Sequence, residues 1–105
     1  MDSDKDWKLK LRYGKITTPY NHYTLIAEGV VSELSDGFQC RPGNAFIGMK
    51  LWANSEEEAV DMIKSIGRQI GFSVTGEIQL FISDPEEPPS DKPYGYGINF
   101  HSFDE

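Results

Sequence analysis

Cysteine and histidine are scarce in this chain, which has one cysteine and two histidines among its 105 residues. Cys40 has no second cysteine to pair with, so an internal disulfide framework is excluded. A zinc site needs several ligands at short spacing, and His22 and His101 lie almost at opposite ends of the chain. The sequence therefore indicates no metal site and no cofactor.

The residue patterns of common catalytic sites are also missing. Arg41 follows Cys40, but no signature of a cysteine enzyme surrounds the pair. No glycine-rich turn has the spacing of a phosphate-binding loop, and the acidic residues near the C-terminus lack the spacing of a calcium loop. Glu28 and Glu77 lie in predicted strands, where pairing with a basic residue across the sheet explains them more simply than catalysis does. No catalytic residue is predicted.

Long apolar runs are absent as well, so no segment has the length of a membrane-spanning helix. The first residues, MDSDKDW, are acidic and polar, whereas a secretory signal combines a basic start with an apolar stretch. Together with the single cysteine, these features predict a cytoplasmic protein that does not associate with membranes.

Positive charge is scarce in the second half of the chain. Residues 1–53 carry seven basic and six acidic side chains, a net charge of +1, whereas residues 54–105 carry three basic and eleven acidic ones, a net charge of −8. The total of −7 repels a phosphate backbone, so direct nucleic-acid binding is not expected. The same field attracts a basic protein and speeds the encounter, although acidity also serves solubility.

Hydrophobic periodicity predicts five strands. Residues 7–14 alternate strictly between apolar and basic side chains, the pattern of a half-buried edge strand whose lysines discourage aggregation. Residues 22–34 are rich in β-branched and aromatic residues and predict a second strand. Residues 45–53 are apolar on nearly both faces, which predicts a third strand in a central position of the sheet. Residues 72–83 and 94–103 alternate again and complete the set.

The one predicted helix covers residues 55–70. Ser55 and Glu58 have the spacing of a capping box. Apolar residues recur at helical spacing and form a single stripe, expected to face the sheet: Ala59, Met62, Ile63, Ile66 and Ile70. The predicted fold is an α+β domain of residues 1–105, with a mostly antiparallel sheet of about five strands in the order β-β-β-α-β-β and one helix packed on one face.

The C-terminal part of the chain divides into a loop and a strand. Residues 84–93 combine four prolines with acidic side chains, which predicts an exposed loop of polyproline II character. In residues 94–103 bulky side chains alternate with small or polar ones, so four of them are predicted to share one face: Tyr94, Tyr96, Ile98 and Phe100. The glycines between them indicate the close approach of a neighbouring group, and Gly29 earlier in the chain indicates either a bulge or such an approach.

The first functional hypothesis is a small, non-enzymatic interaction protein that docks on or neutralises a basic protein partner. In its size, its acidity and its lack of catalytic residues, the chain is similar to many small immunity and inhibitor proteins. Acidic residues would steer the encounter and tyrosines would anchor the partner. The residues expected at this surface are Glu56, Glu57, Asp61, Glu86, Glu87, Asp91, Tyr94 and Tyr96.

The second hypothesis is a small-molecule-binding domain or enzyme with a pocket between the sheet and the proline-rich loop. Its lining would be Tyr20, His22, Tyr23 and His101. A deep pocket with a convergent histidine and carboxylate would favour this hypothesis, whereas a flat acidic face would favour the first. A third alternative is a homodimer built through an edge strand.

Overall fold

A computed structural model describes residues 6–15, 17–35 and 37–103 of the protein. The elements in chain order are α1 (Asp6–Arg12), β1 (Asn21–Val31), β2 (Gly43–Ala53), α2 (Glu56–Ile70), β3 (Phe72–Ile82) and β4 (Tyr94–Ser102). The α+β class and the antiparallel sheet are confirmed. The number of elements differs from the prediction, since the described residues form four strands and two helices instead of five strands and one helix.

The strands are arranged in the order β3-β1-β2-β4, and every neighbouring pair is antiparallel. The hairpin of β1 and β2 forms the centre of the sheet, with Asn21 opposite Ala53 and Val31 opposite Gly43. This topology brings the start of β1, the end of β2, the end of β3 and the start of β4 to one end of the sheet, which we call the loop end. Both α2 and the connection from β3 to β4 begin there.

The core lies between α2 and one face of the sheet. Alternation along β1 and β2 sends every second side chain to this face, where the following are almost fully buried: Leu25, Ala27, Val31, Ala45, Ile47, Met49 and Leu51. From α2, Ile63 and Ile70 are buried and Met62 and Ile66 pack against the same cluster, as the helical stripe predicts. Burying one such side chain stabilises the fold by about 1.5–3 kcal/mol.

The ends of α2 are fixed by residues that the sequence identifies. Ser55 is the N-cap, and its side chain accepts a hydrogen bond of 3.1 Å from the backbone N–H of Glu58. The carboxylate of Glu58 in turn accepts from the backbone N–H of Asn54 at 2.7 Å, one residue before the position that a standard capping box uses. Gly71 ends the helix with φ of 122°, a conformation that favours glycine.

The strand predicted for residues 7–14 is wrong, because this segment forms the helix α1. Alternating leucine and lysine suits an edge strand, but leucine, lysine and arginine are also good helix formers, and the segment contains no β-branched residue. In the helix, Trp7 and Leu11 lie four residues apart and are half-buried, whereas Leu9 is exposed.

Within the described part of the chain, no helix is long and apolar enough to cross a membrane.

The prediction that the four bulky residues of β4 share one face is also wrong. The register with β2 shifts between Gly48 and Lys50, and Gly97 adopts a φ of 64° at this bulge. A bulge adds one residue to a strand and therefore reverses which face the following side chains occupy. Ile98 and Phe100 consequently pack on the core. Their predicted partners, Tyr94 and Tyr96, lie on the face opposite α2.

Two glycines mark close contacts, as the sequence predicts. A Cβ atom on Gly95 would lie 2.6 Å from Leu51 and 3.2 Å from Ile66, so the core packs directly on the bare backbone of β4. A Cβ atom on Gly29 would collide with the ring of Phe72 and with the carbonyl oxygen of Ser73. Any side chain at Gly29 would therefore push β3 away from β1.

We expect Gly29→Ala to lower the free energy of unfolding by more than about 2 kcal/mol, because the backbone of β3 must move. Gly48→Ala is the matched control. Its Cβ would meet only the flexible side chain of Asn99, at 3.0 Å, and should change stability by less than about 1 kcal/mol. Urea denaturation of both variants tests the prediction, which equal midpoints would contradict.

Ser55→Ala should lower the free energy of unfolding by about 0.5–2 kcal/mol, because the N-cap hydrogen bond to Glu58 is lost. The same substitution at Ser65, which is exposed within α2, should cost nothing, since alanine has the higher helix propensity. Thermal or urea unfolding measures the difference. If both variants are as stable as the parent protein, the cap does not contribute as assigned.

Candidate functional site

The connection between β3 and β4, residues 83–93, is held against the sheet by hydrogen bonds to its backbone. We call this segment the acidic loop, and the sheet surface opposite α2 the open face. The indole N–H of Trp52 donates to the carbonyl oxygen of Glu87 at 2.9 Å, and the hydroxyl of Tyr94 donates to that of Pro88. The hydroxyl of Tyr20 donates to the carbonyl oxygen of Asp91 at 3.1 Å. These bonds fix the backbone of the loop without using its carboxylates.

His22 and Tyr96 form the centre of this anchor. The Nδ1 of His22 lies 3.0 Å from the carbonyl oxygen of Ser83, which can only accept, so Nδ1 carries the proton. The Nε2 then accepts from the hydroxyl of Tyr96 at 2.6 Å. The same hydroxyl oxygen accepts from the backbone N–H groups of Glu86 and Glu87, at 2.9 and 3.3 Å. The one donor and both acceptor positions of the Tyr96 hydroxyl are therefore occupied.

Aromatic contacts enclose His22 so that only 5% of its surface is exposed. Its ring meets Trp52 edge-on with centroids 5.0 Å apart, and lies 5.7 Å from the ring of Tyr96. Burial lowers the pKa of His22 from its ordinary value of 6.5, and Lys50 acts in the same direction. The bond to Ser83 and the charges of two loop carboxylates oppose this effect without overcoming it. His22 is therefore a neutral, structural imidazole at pH 7.

The carboxylates of the acidic loop point into solvent. Glu86 is 67% exposed and forms an ion pair of 3.5 Å with Lys50, the one ion pair found among residues 6–15, 17–35 and 37–103. Glu87 and Asp91 are exposed and form none within those ranges. Lys92 is the one basic side chain of this loop, and Lys8 and Arg12 of α1 line a depression with Asp84, so the negative charge of the loop is compensated only in part.

The acidic residues of α2 lie at the same end of the sheet as the acidic loop. Glu56, Glu57 and Asp61 are exposed in the first turns of α2, which begins at the loop end. Together with Val60 and Leu80 they line an open depression of about 410 Å³ between α2 and β3. The fold thus brings both predicted acidic sets to one end of the molecule, on opposite sides of the sheet.

The residues of the alternative pocket do not converge. Tyr23 is buried on the core face and His22 points to the open face, because they are neighbours in a strand. His101 is exposed on β4 opposite Phe46, at the other end of the sheet from His22. It lines a groove of about 190 Å³ on the open face, and no described carboxylate lines this groove. The arrangement of a histidine and a carboxylate in one deep pocket is not present among the described residues.

The open face also carries apolar side chains that sequence analysis did not single out. Large ones that are partly exposed there include Ile26 at 37%, Phe46 at 38% and Phe81 at 49%. The ring of Phe103, which follows β4 and is 45% exposed, stacks on that of Phe46 with centroids 4.5 Å apart. The strand alternation places Ile26, Phe46 and Phe81 on the face that α2 leaves uncovered, with Phe81 towards the loop end and Phe46 towards the opposite end of the sheet. An exposed apolar patch of this kind is typical of an interaction surface.

Tyr94 and Tyr96 both contact the acidic loop. They are half-buried, and their hydroxyls form hydrogen bonds with the backbone of the loop. The bond between Tyr96 and His22 joins residues 74 positions apart, so no local pattern could have identified it. The bulge at Gly97 turns both tyrosines to the open face.

Neither a metal centre nor a known family accounts for the site. Among the described residues, no three histidine, cysteine, aspartate or glutamate side chains lie close enough to hold a metal ion. Cys40 is a free thiol that packs against the core. The chain matches no protein-family model, and no curated protein or solved structure is similar enough to count as a match.

Tyr96→Phe should speed hydrogen exchange at the backbone amides of Glu86 and Glu87 and lower stability by about 0.5–1.5 kcal/mol, because their common acceptor is lost. Tyr13→Phe removes the same hydroxyl from a side chain that is 72% exposed and should change neither quantity. Unaltered exchange at both amides in Tyr96→Phe would contradict the anchoring role.

Proposed function

We propose that the protein is a non-enzymatic interaction protein that docks on a basic protein partner and neutralises it. The observation that carries this proposal is an acidic loop fixed by its backbone, with the carboxylates of Glu87 and Asp91 exposed and in no ion pair with the described residues. Glu56, Glu57 and Asp61 add to the negative charge at the same end of the sheet. A basic partner would be drawn to this end and oriented by it.

The anchoring of the loop also favours binding by reducing the conformational entropy that is lost when a partner binds. A flexible loop loses conformational entropy when a partner orders it, whereas a loop that is already ordered avoids much of that loss. Trp52 and Tyr94 hold the loop backbone before any partner arrives. The carboxylates are then presented from a surface of defined shape, which is the requirement for selecting one basic partner from many.

The open face supplies the apolar part of such an interface. Protein interfaces combine an apolar centre with a polar rim. Ile26 and Phe46 line the groove next to Lys50, whose ion pair with Glu86 joins the open face to the acidic loop. A partner that contacts the loop with basic side chains can therefore cover neighbouring apolar surface in the same complex.

The alternatives are supported less well. An enzyme built on the predicted pocket would use His22 as its acid or base, but both ring nitrogens of His22 are engaged within the protein. A homodimer through an edge strand would bring together two chains that each carry a net charge of −7, which would repel one another.

The lone Cys40 supports a cytoplasmic location for the complex, since no internal disulfide stabilises the fold.

The test begins with cross-linking of the tagged protein in its native host, followed by identification of the captured partner. The proposal requires a partner with a basic surface, and an affinity that falls as salt is added. With the purified partner, Glu87→Gln/Asp91→Asn should bind several-fold more weakly, mainly through slower association. Titration calorimetry and stopped-flow fluorescence measure the two effects.

Glu33→Gln is the control for the loss of charge, because Glu33 is exposed and follows the end of β1 that lies away from the loop end. It should bind with nearly the parent affinity. Equal weakening in both variants would mean that total charge alone matters, and no weakening in either would exclude the acidic loop from the interface.

A further inference from the structure

The anchor of the acidic loop depends on one protonation state of His22. In that state the Nε2 of His22 is an acceptor, and the Tyr96 hydroxyl donates to it at 2.6 Å. The two acceptor positions of that hydroxyl remain available for the amides of Glu86 and Glu87. The Nδ1 of His22 points at Ser83, whose carbonyl and hydroxyl oxygens lie 3.0 and 3.1 Å away, and the Tyr96 hydroxyl has no spare donor or acceptor position.

A second proton on His22 would break this arrangement. The Nε2 would become a donor and would point at an oxygen that already accepts two hydrogen bonds. Three donors would then compete for two acceptor positions, and the hydroxyl proton of Tyr96 would need another acceptor. The least costly adjustment is for the amides of Glu86 and Glu87 to leave, because both lie in an exposed loop where water can accept their hydrogen bonds.

We propose that His22 is a pH-sensitive latch, which holds the acidic loop closed while it is neutral and releases it when Nε2 is protonated. The latch is a property of the fold and needs no partner. Its consequence for docking, that acidification weakens binding because the loop is no longer ordered, rests on the proposed function.

The charged groups around His22 come from each element packed against it. Lys50 of β2 disfavours the protonated ring, while Asp84 and Glu86 of the loop favour it; from β4, Tyr96 contributes its hydroxyl and its ring. Burial is the largest influence and lowers the pKa of His22. The open loop would restore the ordinary value of about 6.5. Because the pKa of His22 is lower in the closed state, the free energy that favours the closed loop is fully present above that pH. This free energy decreases as the pH falls below it.

Release of the acidic loop can be measured by tryptophan fluorescence, because the indole of Trp52 is hydrogen-bonded to the loop. Trp7→Phe leaves Trp52 as the one remaining tryptophan, and its emission reports the contact with Glu87. Between pH 8 and pH 5 we expect a single transition with a midpoint below 6.5. In the same range, the exchange protection of the Glu86 and Glu87 amides should fall, by up to about tenfold for each pKa unit between the closed and open states. The amides of Ile47 and Leu51 should keep their protection, since the sheet stays folded.

Nuclear magnetic resonance of the His22 ring gives the pH at which His22 is protonated, which can be compared with the midpoint of the loop transition. The proposal requires that His22 titrates with the same midpoint as the loop transition. A loop that stays protected after His22 is protonated would overturn the latch. So would a simultaneous loss of protection at Ile47 and Leu51, which would mean global unfolding.

The two histidines allow a matched pair of variants. Glutamine at position 22 offers an acceptor to Tyr96 but cannot titrate in this range, so His22→Gln should abolish the pH transition. His101→Gln alters an exposed histidine on β4 and should leave the transition unchanged. A transition that survives in His22→Gln, or that disappears in His101→Gln, would assign the effect to another group. These measurements contain no partner, so their outcome is independent of the test of docking.

Discussion

The pairing of β1 with β2 in one register determines both faces of the molecule. Tyr23 lies opposite Leu51 and His22 lies opposite Trp52 in the same ladder. A shift by one residue would exchange the two faces of a strand, so that Leu25 would turn to solvent and His22 to the core. The register that packs the apolar side chains against α2 is thus also the one that places His22 beside Trp52. The hydrophobic core selects the geometry of the loop anchor, although the anchor lies outside it.

Because β4 is an edge strand, it can contribute to both faces through one irregularity. Before the bulge at Gly97, its tyrosines reach the open face and bind the acidic loop. After the bulge, Ile98 and Phe100 cover the core beside Phe72. A regular strand would have placed all these bulky side chains on one face. With all four on the open face, the core would lack Ile98 and Phe100; with all four on the core face, the acidic loop would lack the hydrogen bonds of Tyr94 and Tyr96.

The sequence predicts the parts of the fold that depend on strong local periodicity, and fails where two periods compete. The stripe and cap of α2 are unambiguous, and so is the central hairpin. Residues 7–14 fit a strand by alternation and a helix by propensity, and only the tertiary structure shows that neither sheet edge takes them up. The bulge at Gly97 could not be predicted, since a glycine in a strand indicates close packing as readily as a bulge. For the site, exposed acids were predictable from composition, whereas the contact of His22 with Tyr96 depends on how distant strands meet.

The acidic loop separates the groups that hold it from the groups that carry its charge. Its anchors are uncharged: amides that donate to Tyr96 and carbonyl oxygens that accept from His22 and Trp52. Carboxylates crowded on a short segment repel one another and would extend a free loop. Anchoring through carboxylates would prevent this, but it would also consume the charge, as the pair of Lys50 with Glu86 does locally. Anchoring through the backbone keeps most of the charge unneutralised, and a basic partner that docks there would relieve the repulsion that the anchor withstands.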